Sequence, residues 1–436
     1  MCNIASNRRL PQELFDIIID NLHSDKDTLK ECSLVCRSWV PSSSFHLLRR
    51  VAWPLLHHTR HTHDDPNVSH QDHQSLSSPD PIDTSFRTCL SILKSSARLQ
   101  SYVREFALTS HRPQCSTITG RGKWEKLDVS TIAAILDLLP YLRCLFLERC
   151  ALRSVASSRS AEPSQSMPLL HGPRRDLEEL SLCELTRGST VEPLDDLLSF
   201  FQHIGKLTVD RIPHWPLPRS SFPRPLPALS VETLVLKNAS AGAVATALCH
   251  ELKTHQNLSA VRELTVDRLT PGLLDFICAA PNLESLAFVA DAYQSPINPG
   301  VHRASLRRIT FITSFEFGTD YGYYTSTFRS IAAHIQALSA FGSISEIAIE
   351  FQVQVQDALI ENPEFDLLAI LQRALSPFGE WQAIREALKS YDSLQTLAFH
   401  VHDLATLSHD CVSILSAAAA RHLPPKYVDM LRIMYV

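Results

Sequence analysis

Six histidines crowd one short stretch of this chain: His57, His58, His61, His63, His70 and His73. Zinc would need neutral imidazoles in a tetrahedral array, each ring oriented by a folded scaffold. His57 and His61 could share a helix face at i, i+4, but the surrounding residues are mostly Ser, Asp and Pro, the composition of a polar connector. No metal is expected there. Nothing in the pattern specifies a pH response either, although imidazoles titrate near neutrality. Cys32 and Cys36 are also spaced i, i+4, and buried packing explains them better than metal or redox chemistry. Gly120, Gly122 and Lys123 in TGRGKW lack the spacing of a phosphate loop, and no Ser or Thr follows the lysine. The chain has no G-x-S-x-G or G-x-G-x-x-G, and only 12 glycines among 436 residues. Asp195-Asp196 and Glu178-Glu179 fall on expected exposed faces or strand edges, where solvated charge is the default. No catalytic set converges, no cofactor is implied, and the chain does not read as an enzyme.

Residues 8–53 read as three short amphipathic helices. Pro11 suits a first helical turn, and Leu14, Ile17, Ile18 and Leu22 follow as one apolar stripe. After the break His23-Ser24-Asp25, a second helix capped by Asp25 or Asp27 carries Leu29, Cys32, Cys36 and Trp39, widened by Leu34 and Val35. Pro41 ends that helix at Val40 and starts a third through Phe45, Leu47, Leu48 and Val51. Three helices this short bury little surface alone, so stripes this wide suggest that another protein covers part of them.

Leu10-Pro11-x-Glu13-Leu14, Ile17, Ile18, Leu22, Leu29 and the run Cys32-Ser-Leu-Val-Cys-Arg-Ser-Trp39 closely resemble the F-box motif. The variant followed by Pro41 looks most like F-box proteins of basidiomycete, mushroom-forming fungi. The resemblance covers about a tenth of the chain, assigned here as 8–56. It implies docking on a Skp-type adaptor and, through it, a cullin scaffold. By that resemblance Leu10, Pro11, Leu14, Ile18, Val35 and Trp39 are the adaptor contacts, whereas Leu29 and Leu34 read as core. Residues 57–84 are expected to be a flexible His/Ser/Pro-rich linker.

From residue 85 to 436 a template L-x-x-L-x-L recurs. It appears at Val103-Phe106-Leu108, Leu142-Leu145-Leu147, Leu177-Leu180-Leu182, Ile204-Leu207-Val209 and Val231-Leu234-Leu236. It continues at Val261-Leu264-Val266, Leu283-Leu286-Phe288, Leu306-Ile309-Phe311, Ile344-Ile347-Ile349, Leu394-Leu397-Phe399 and Val428-Leu431-Ile433. Each is a short strand with alternate side chains inward. Helical patterns at 130–139, 191–201, 241–253, 272–279, 327–338, 380–388 and 408–421 lie between them. The fold class is therefore α/β: a small helical module, then an open solenoid with a parallel sheet, similar to the leucine-rich repeat horseshoe. The likeness is loose. Spacings run from 22 residues (Val261 to Leu283) to 50 (Ile344 to Leu394), and only Cys150 fills the family's turn-binding Asn/Cys position. The turns must be satisfied otherwise, and a doubly wound α/β domain stays open as an alternative.

Insertions are expected as a polar loop at 152–174, a proline-rich connector at 213–227 and an aromatic loop at 315–328. Phe317, Tyr321, Tyr323 and Tyr324 in that last loop are candidate substrate contacts, unless the aromatics fold back onto the sheet. Arg303, Arg307 and Arg308 read as a solvated basic face. Net charge is −5, which favours neither nucleic acid nor another polyanion. Eleven cysteines without regular spacing, no signal core and no long apolar run suggest an intracellular chain, cytoplasmic or nuclear, without a membrane span. The function expected is a substrate-recognition subunit of a Skp-cullin-F-box ubiquitin ligase with an unknown protein substrate. The alternatives are an F-box/repeat scaffold acting without ubiquitin ligation, and an α/β enzyme fused to an F-box.

Overall fold

The computed structural model describes residues 11–55, 81–110, 125–153, 174–185, 192–211, 229–237, 257–290, 305–317, 322–339, 341–355, 378–402 and 408–435. They fall into two compact units, Met1–Pro216 and Leu217–Val436. Unit 1 opens with helices α1 (Gln12–Asn21), α2 (Lys26–Val35) and α3 (Val40–Arg49). It continues with β1 (Arg50–Leu55), α4 (Pro81–Ser95), α5 (Ala97–Tyr102), β2 (Glu105–Ser110), β3 (Glu125–Asp128) and α6 (Val129–Leu138). It ends with β4 (Cys144–Glu148), β5 (Cys150–Arg153), β6 (Arg175–Cys183), α7 (Glu192–Leu198) and β7 (Phe201–Asp210). Its main sheet runs β1-β2-β4-β6-β7, and β3 pairs with β5 in a separate ribbon. All of these pairings are parallel.

Unit 2 holds β8 (Ser230–Lys237), a short 3-10 turn (Asn257–Ala260), β9 (Glu263–Val266), α8 (Pro271–Ala279), β10 (Ser285–Val289) and β11 (Arg308–Phe317). Then come α9 (Gly322–Leu338), β12 (Glu346–Val355), α10 (Phe378–Leu388), β13 (Thr396–His402), α11 (Ser408–His422), α12 (Pro425–Met430) and β14 (Leu431–Tyr435). Its strands lie side by side in chain order, parallel throughout. Among the described residues neither unit's strands close into a barrel, and no helix is long and apolar enough to cross a membrane.

The template explains the core. Every predicted template position is buried except Val428, Leu431 and Ile433, which are half-buried because β14 is the last strand of its sheet. Partners line up in register: Phe106, Leu145, Leu180 and Leu207 share one row, and Leu264, Leu286, Ile309, Ile347 and Leu397 share another. Burying one such side chain is worth about 1.5–3 kcal/mol, and helical residues such as Ile132 and Ile135 in unit 1 and Ile331 and Ile384 in unit 2 add to the core of each. Charged residues beside the template reinforce the register. Arg50 reaches Glu105 (3.9 Å), Lys206 reaches Glu179 (3.0 Å) and Arg308 reaches Glu346 (2.9 Å) across adjacent strands. The Glu178-Glu179 pair and Arg308 are thus not merely solvated, since Glu178 also meets Arg143 at 3.0 Å. Gly205 is needed on β7, because a Cβ there would stand 2.8 Å from the Glu178 carbonyl oxygen.

The turns after β4, β6 and β7 replace the missing Asn/Cys ladder with charged residues in the left-handed region: Arg149, Glu184 and Arg211, at φ 57°, 50° and 49°. Each non-glycine residue there costs about 1–2 kcal/mol. The backbone gains in return, since the Arg149 N–H donates to the Cys183 carbonyl (3.0 Å) and the Glu184 N–H to that of Asp210 (2.8 Å). Above them the Glu184 carboxylate accepts from Arg149 Nε (2.7 Å) and faces Arg211 Nη1 (2.5 Å).

Several expectations need correcting. The third helix stops at Arg49, and Val51 lies in β1, so residues 50–55 of the segment assigned to the helical module belong to the sheet. Leu48-x-x-Val51-x-Trp53 is itself a template copy: Val51 pairs with Phe106 and Trp53 with Leu108. The linker expected at 57–84 therefore does not separate module from sheet; Pro81–Thr84 already open α4, and 56–80, with all six histidines, lie outside the described residues. The aromatic loop at 315–328 contracts, because β11 runs through Phe317 and α9 begins at Gly322. Leu152 and Arg153 of the expected polar loop form part of β5. The helix expected at 241–253, the proline-rich connector at 213–227, TGRGKW and Arg303 fall outside the described residues.

Candidate functional site

The helical module has a small interior. Ile19, Leu29 and Ser43 are fully buried and Cys32 nearly so, one or two residues from each helix. Phe15 on α1 packs against Trp39 with ring centroids 5.4 Å apart. Polar ties hold α1 to α3. Ser42 Oγ donates to the Asp16 carboxylate, Gln12 Nε2 donates to the Ser38 carbonyl (3.2 Å), and His46 Nε2 meets Asp20 at 2.7 Å. The Ser42 hydroxyl, then Gln12, holds the Asp16 carboxyl below the usual carboxylate range. Asp25 caps α2, accepting from the Thr28 N–H (3.0 Å) and hydroxyl (2.6 Å), which lowers its own pKa.

With the interior filled from Phe15 and Ile19, the other apolar side of α1 faces outward. Leu14, Ile17 and Ile18 are 44%, 55% and 46% exposed, one face at i, i+3, i+4. At the end of α2, Leu34 and Val35 are 78% and 66% exposed. Among the described residues eight large apolar side chains are exposed, and these five lie within 22 positions of one another, 14 to 35. The rest are scattered singly, which is normal for a surface. Exposed apolar clusters of this size are, as a general rule, more than single scattered surface residues need.

Each residue singled out in the sequence can now be placed. Pro11 is exposed and precedes α1, Leu14, Ile18 and Val35 are exposed, and Trp39 is half-buried at the start of α3. Leu10 lies outside the described residues. Leu29 is core as expected, but Leu34 is the most exposed of the group, because it sits on the side of α2 opposite its packing face. Cys36 is not buried on the helix: α2 ends at Val35, and Cys36 is exposed in extended backbone. Its thiol meets Ser38 Oγ at 2.9 Å, and that contact lowers its pKa. Trp39 accordingly caps the start of α3 rather than lying on the second helix, which ends at Val35 and not at Val40; Pro41 starts α3 as expected. Phe15 and Ile19, which make the outward face possible, were missed, although their i, i+4 spacing was readable.

Elsewhere among the described residues no comparable cluster forms. Tyr321 and the side chains of Phe317, Tyr323 and Tyr324 lie outside what is described, while Phe328 is buried 5.8 Å from the Trp381 ring. Burial pushes the Cys144 and Cys183 thiols up to about 11, with neighbouring carboxylates adding to it, so both are poor nucleophiles at neutral pH. Among the described residues no group of three His, Cys, Asp or Glu side chains is placed to hold a metal ion. No protein-family model matches the chain, and no curated protein matches it.

Proposed function

We propose that the chain is an F-box substrate receptor: the helical module binds a Skp-type adaptor, and the repeats that follow, similar to leucine-rich repeats, hold a target protein for ubiquitination. The observation that carries this reading is the outward exposure of Leu14, Ile17, Ile18 and Val35, positions of the motif that the sequence resembles. The buried partners Ile19 and Leu29 hold the module together without them, which leaves the motif residues for a partner. The mechanism is proximity. A receptor that holds both adaptor and target raises the effective concentration of target lysines near the charged ubiquitin, and no residue of this chain performs bond chemistry. The compartment proposed is cytoplasmic or nuclear, where such ligases work.

The test is capture of a purified Skp-type adaptor by the full-length chain. Replacing Leu10 and Pro11 with Ala is expected to weaken capture while leaving the circular dichroism spectrum unchanged. Unchanged capture would remove those two residues from the interface. Adaptor capture without accumulation of any bound target under proteasome inhibition would favour a scaffold acting without ubiquitin ligation.

A further inference from the structure

We propose that Arg104 is a positioning residue that locks the helical module onto the first strands of unit 1, so that the docking face and the sheet turn as one body. The chain passes from α3 into β1 with no residue between Arg49 and Arg50, and β1 pairs with β2 along its whole length. Such a junction alone keeps two soft dihedrals per residue and would bend. Arg104, in the last position before β2, braces it from several sides. Its N–H donates to the Arg49 carbonyl (2.8 Å), where α3 ends. Its carbonyl accepts from the N–H groups of Arg143 (2.7 Å), just before β4, and of Cys144 (3.0 Å), the first residue of β4. Its guanidinium lies 5.9 Å from the Phe45 ring centroid on α3 and 4.8 Å from that of Tyr141, and Nη1 donates to the Ser101 carbonyl (2.8 Å).

Neighbouring contacts extend the brace. Phe45 meets Tyr102 of α5 edge-on at 5.9 Å, and Arg49 and Arg50 reach Glu105 at 3.6 Å and 3.9 Å. These contacts tie α3 to α5 and to β2 in addition to the covalent α3–β1 joint, and therefore resist rotation about it. Residues 56–80 connect β1 to α4, so they do not lie in the path from docking face to sheet. The lock itself does not depend on what docks. Its consequence, a fixed span between adaptor and bound target, rests on the proposed function.

The experiment uses the full chain carrying two fluorophores, attached through bioorthogonal amino acids at Lys26 on α2 and Ser130 on α6, both exposed. Time-resolved energy transfer is expected to give one narrow distance distribution. It should stay narrow when a Gly-Ser segment is inserted between Val68 and Ser69. It should broaden in Arg104→Ala and, separately, in Tyr141→Ala, whose side chain is exposed, while circular dichroism and adaptor capture stay unchanged. A broad distribution in the unmodified chain, or narrow ones in both variants, overturns the lock. Failure of the F-box reading would show elsewhere, as absent adaptor capture by a chain with a narrow distribution.

Discussion

The helical module and the repeated strands use the same apolar residue types and turn them in opposite directions. In the strands Leu180, Leu207, Leu286 and Phe288 are buried in register, and the outward positions between them are polar or small. On α1 the interior takes only one side, Phe15 and Ile19, while Leu14, Ile17 and Ile18 remain exposed. A sheet built from parallel strands satisfies itself by adding neighbours. A module of three short helices cannot, and its second apolar side stays uncovered by the described residues, which is the basis for proposing a partner there. Hydrophobicity alone therefore says little about function; what matters is whether the chain itself covers it.

The largest expected effect tests that contrast. Leu180→Ala should destabilise unit 1 by about 2–5 kcal/mol, whereas Leu14→Ala should shift stability by no more than about 0.5 kcal/mol. Urea unfolding of the full chain measures both. Equal losses would mean that α1 packs its outer face inside the molecule and would break the comparison. Next is Gly205→Ala, expected to cost about 1–3 kcal/mol because its new methyl meets the Glu178 carbonyl on the adjacent strand. A neutral result would show that β6 and β7 can separate freely at that point.

A smaller effect distinguishes unit 2. His334 is buried beside Phe288, with ring centroids 5.3 Å apart, and Nδ1 lies 2.7 Å from the Ser330 carbonyl oxygen. Burial holds its pKa below the ordinary imidazole value, so the folded state takes up its proton later than the unfolded chain as pH falls. Its stability contribution is present above about pH 6.5 and is lost as pH falls from there through the folded pKa. Each unit of depression corresponds to about 1.4 kcal/mol. His334→Leu should flatten the dependence of the urea midpoint on pH between neutrality and mild acid. An unchanged slope would assign the dependence to other groups. The smallest effect is at the Asp25 cap, whose carboxyl is lowered by Thr28. Its contribution is present above the ordinary carboxylate range and is lost only as pH falls through the lowered value. Below that range the helical signal of α2 should weaken in the wild type, and Asp25→Ala should show the weakening already at neutral pH. An unaltered signal in that variant would remove the cap as a support of α2.

Much of the sheet was legible because the template repeats with a strict inward alternation, and a strand lies at every copy of it. The first strand escaped because Leu48 and Val51 satisfy two periods at once, i, i+3 of a helix and the template itself, and the preceding helix claimed them. The left-handed turns escaped because Arg149, Glu184 and Arg211 are not the Gly or Asn that signals such a turn, and their support comes from neighbouring strands distant in sequence. The β3–β5 ribbon escaped for the same reason, with both partners only four residues long. In the module the motif positions were legible by resemblance. Which of them faced outward was not, since that depends on Phe15 and Trp39 meeting across two helices.

The most direct test of the outward face is calorimetric titration of the full-length chain with a purified Skp-type adaptor, comparing wild type with Leu14→Glu/Ile18→Glu. Both side chains are exposed, so the double variant should remain folded by circular dichroism and lose affinity by about 30-fold or more. A folded variant that binds the adaptor as tightly as the wild type would contradict the assignment of this face to the adaptor.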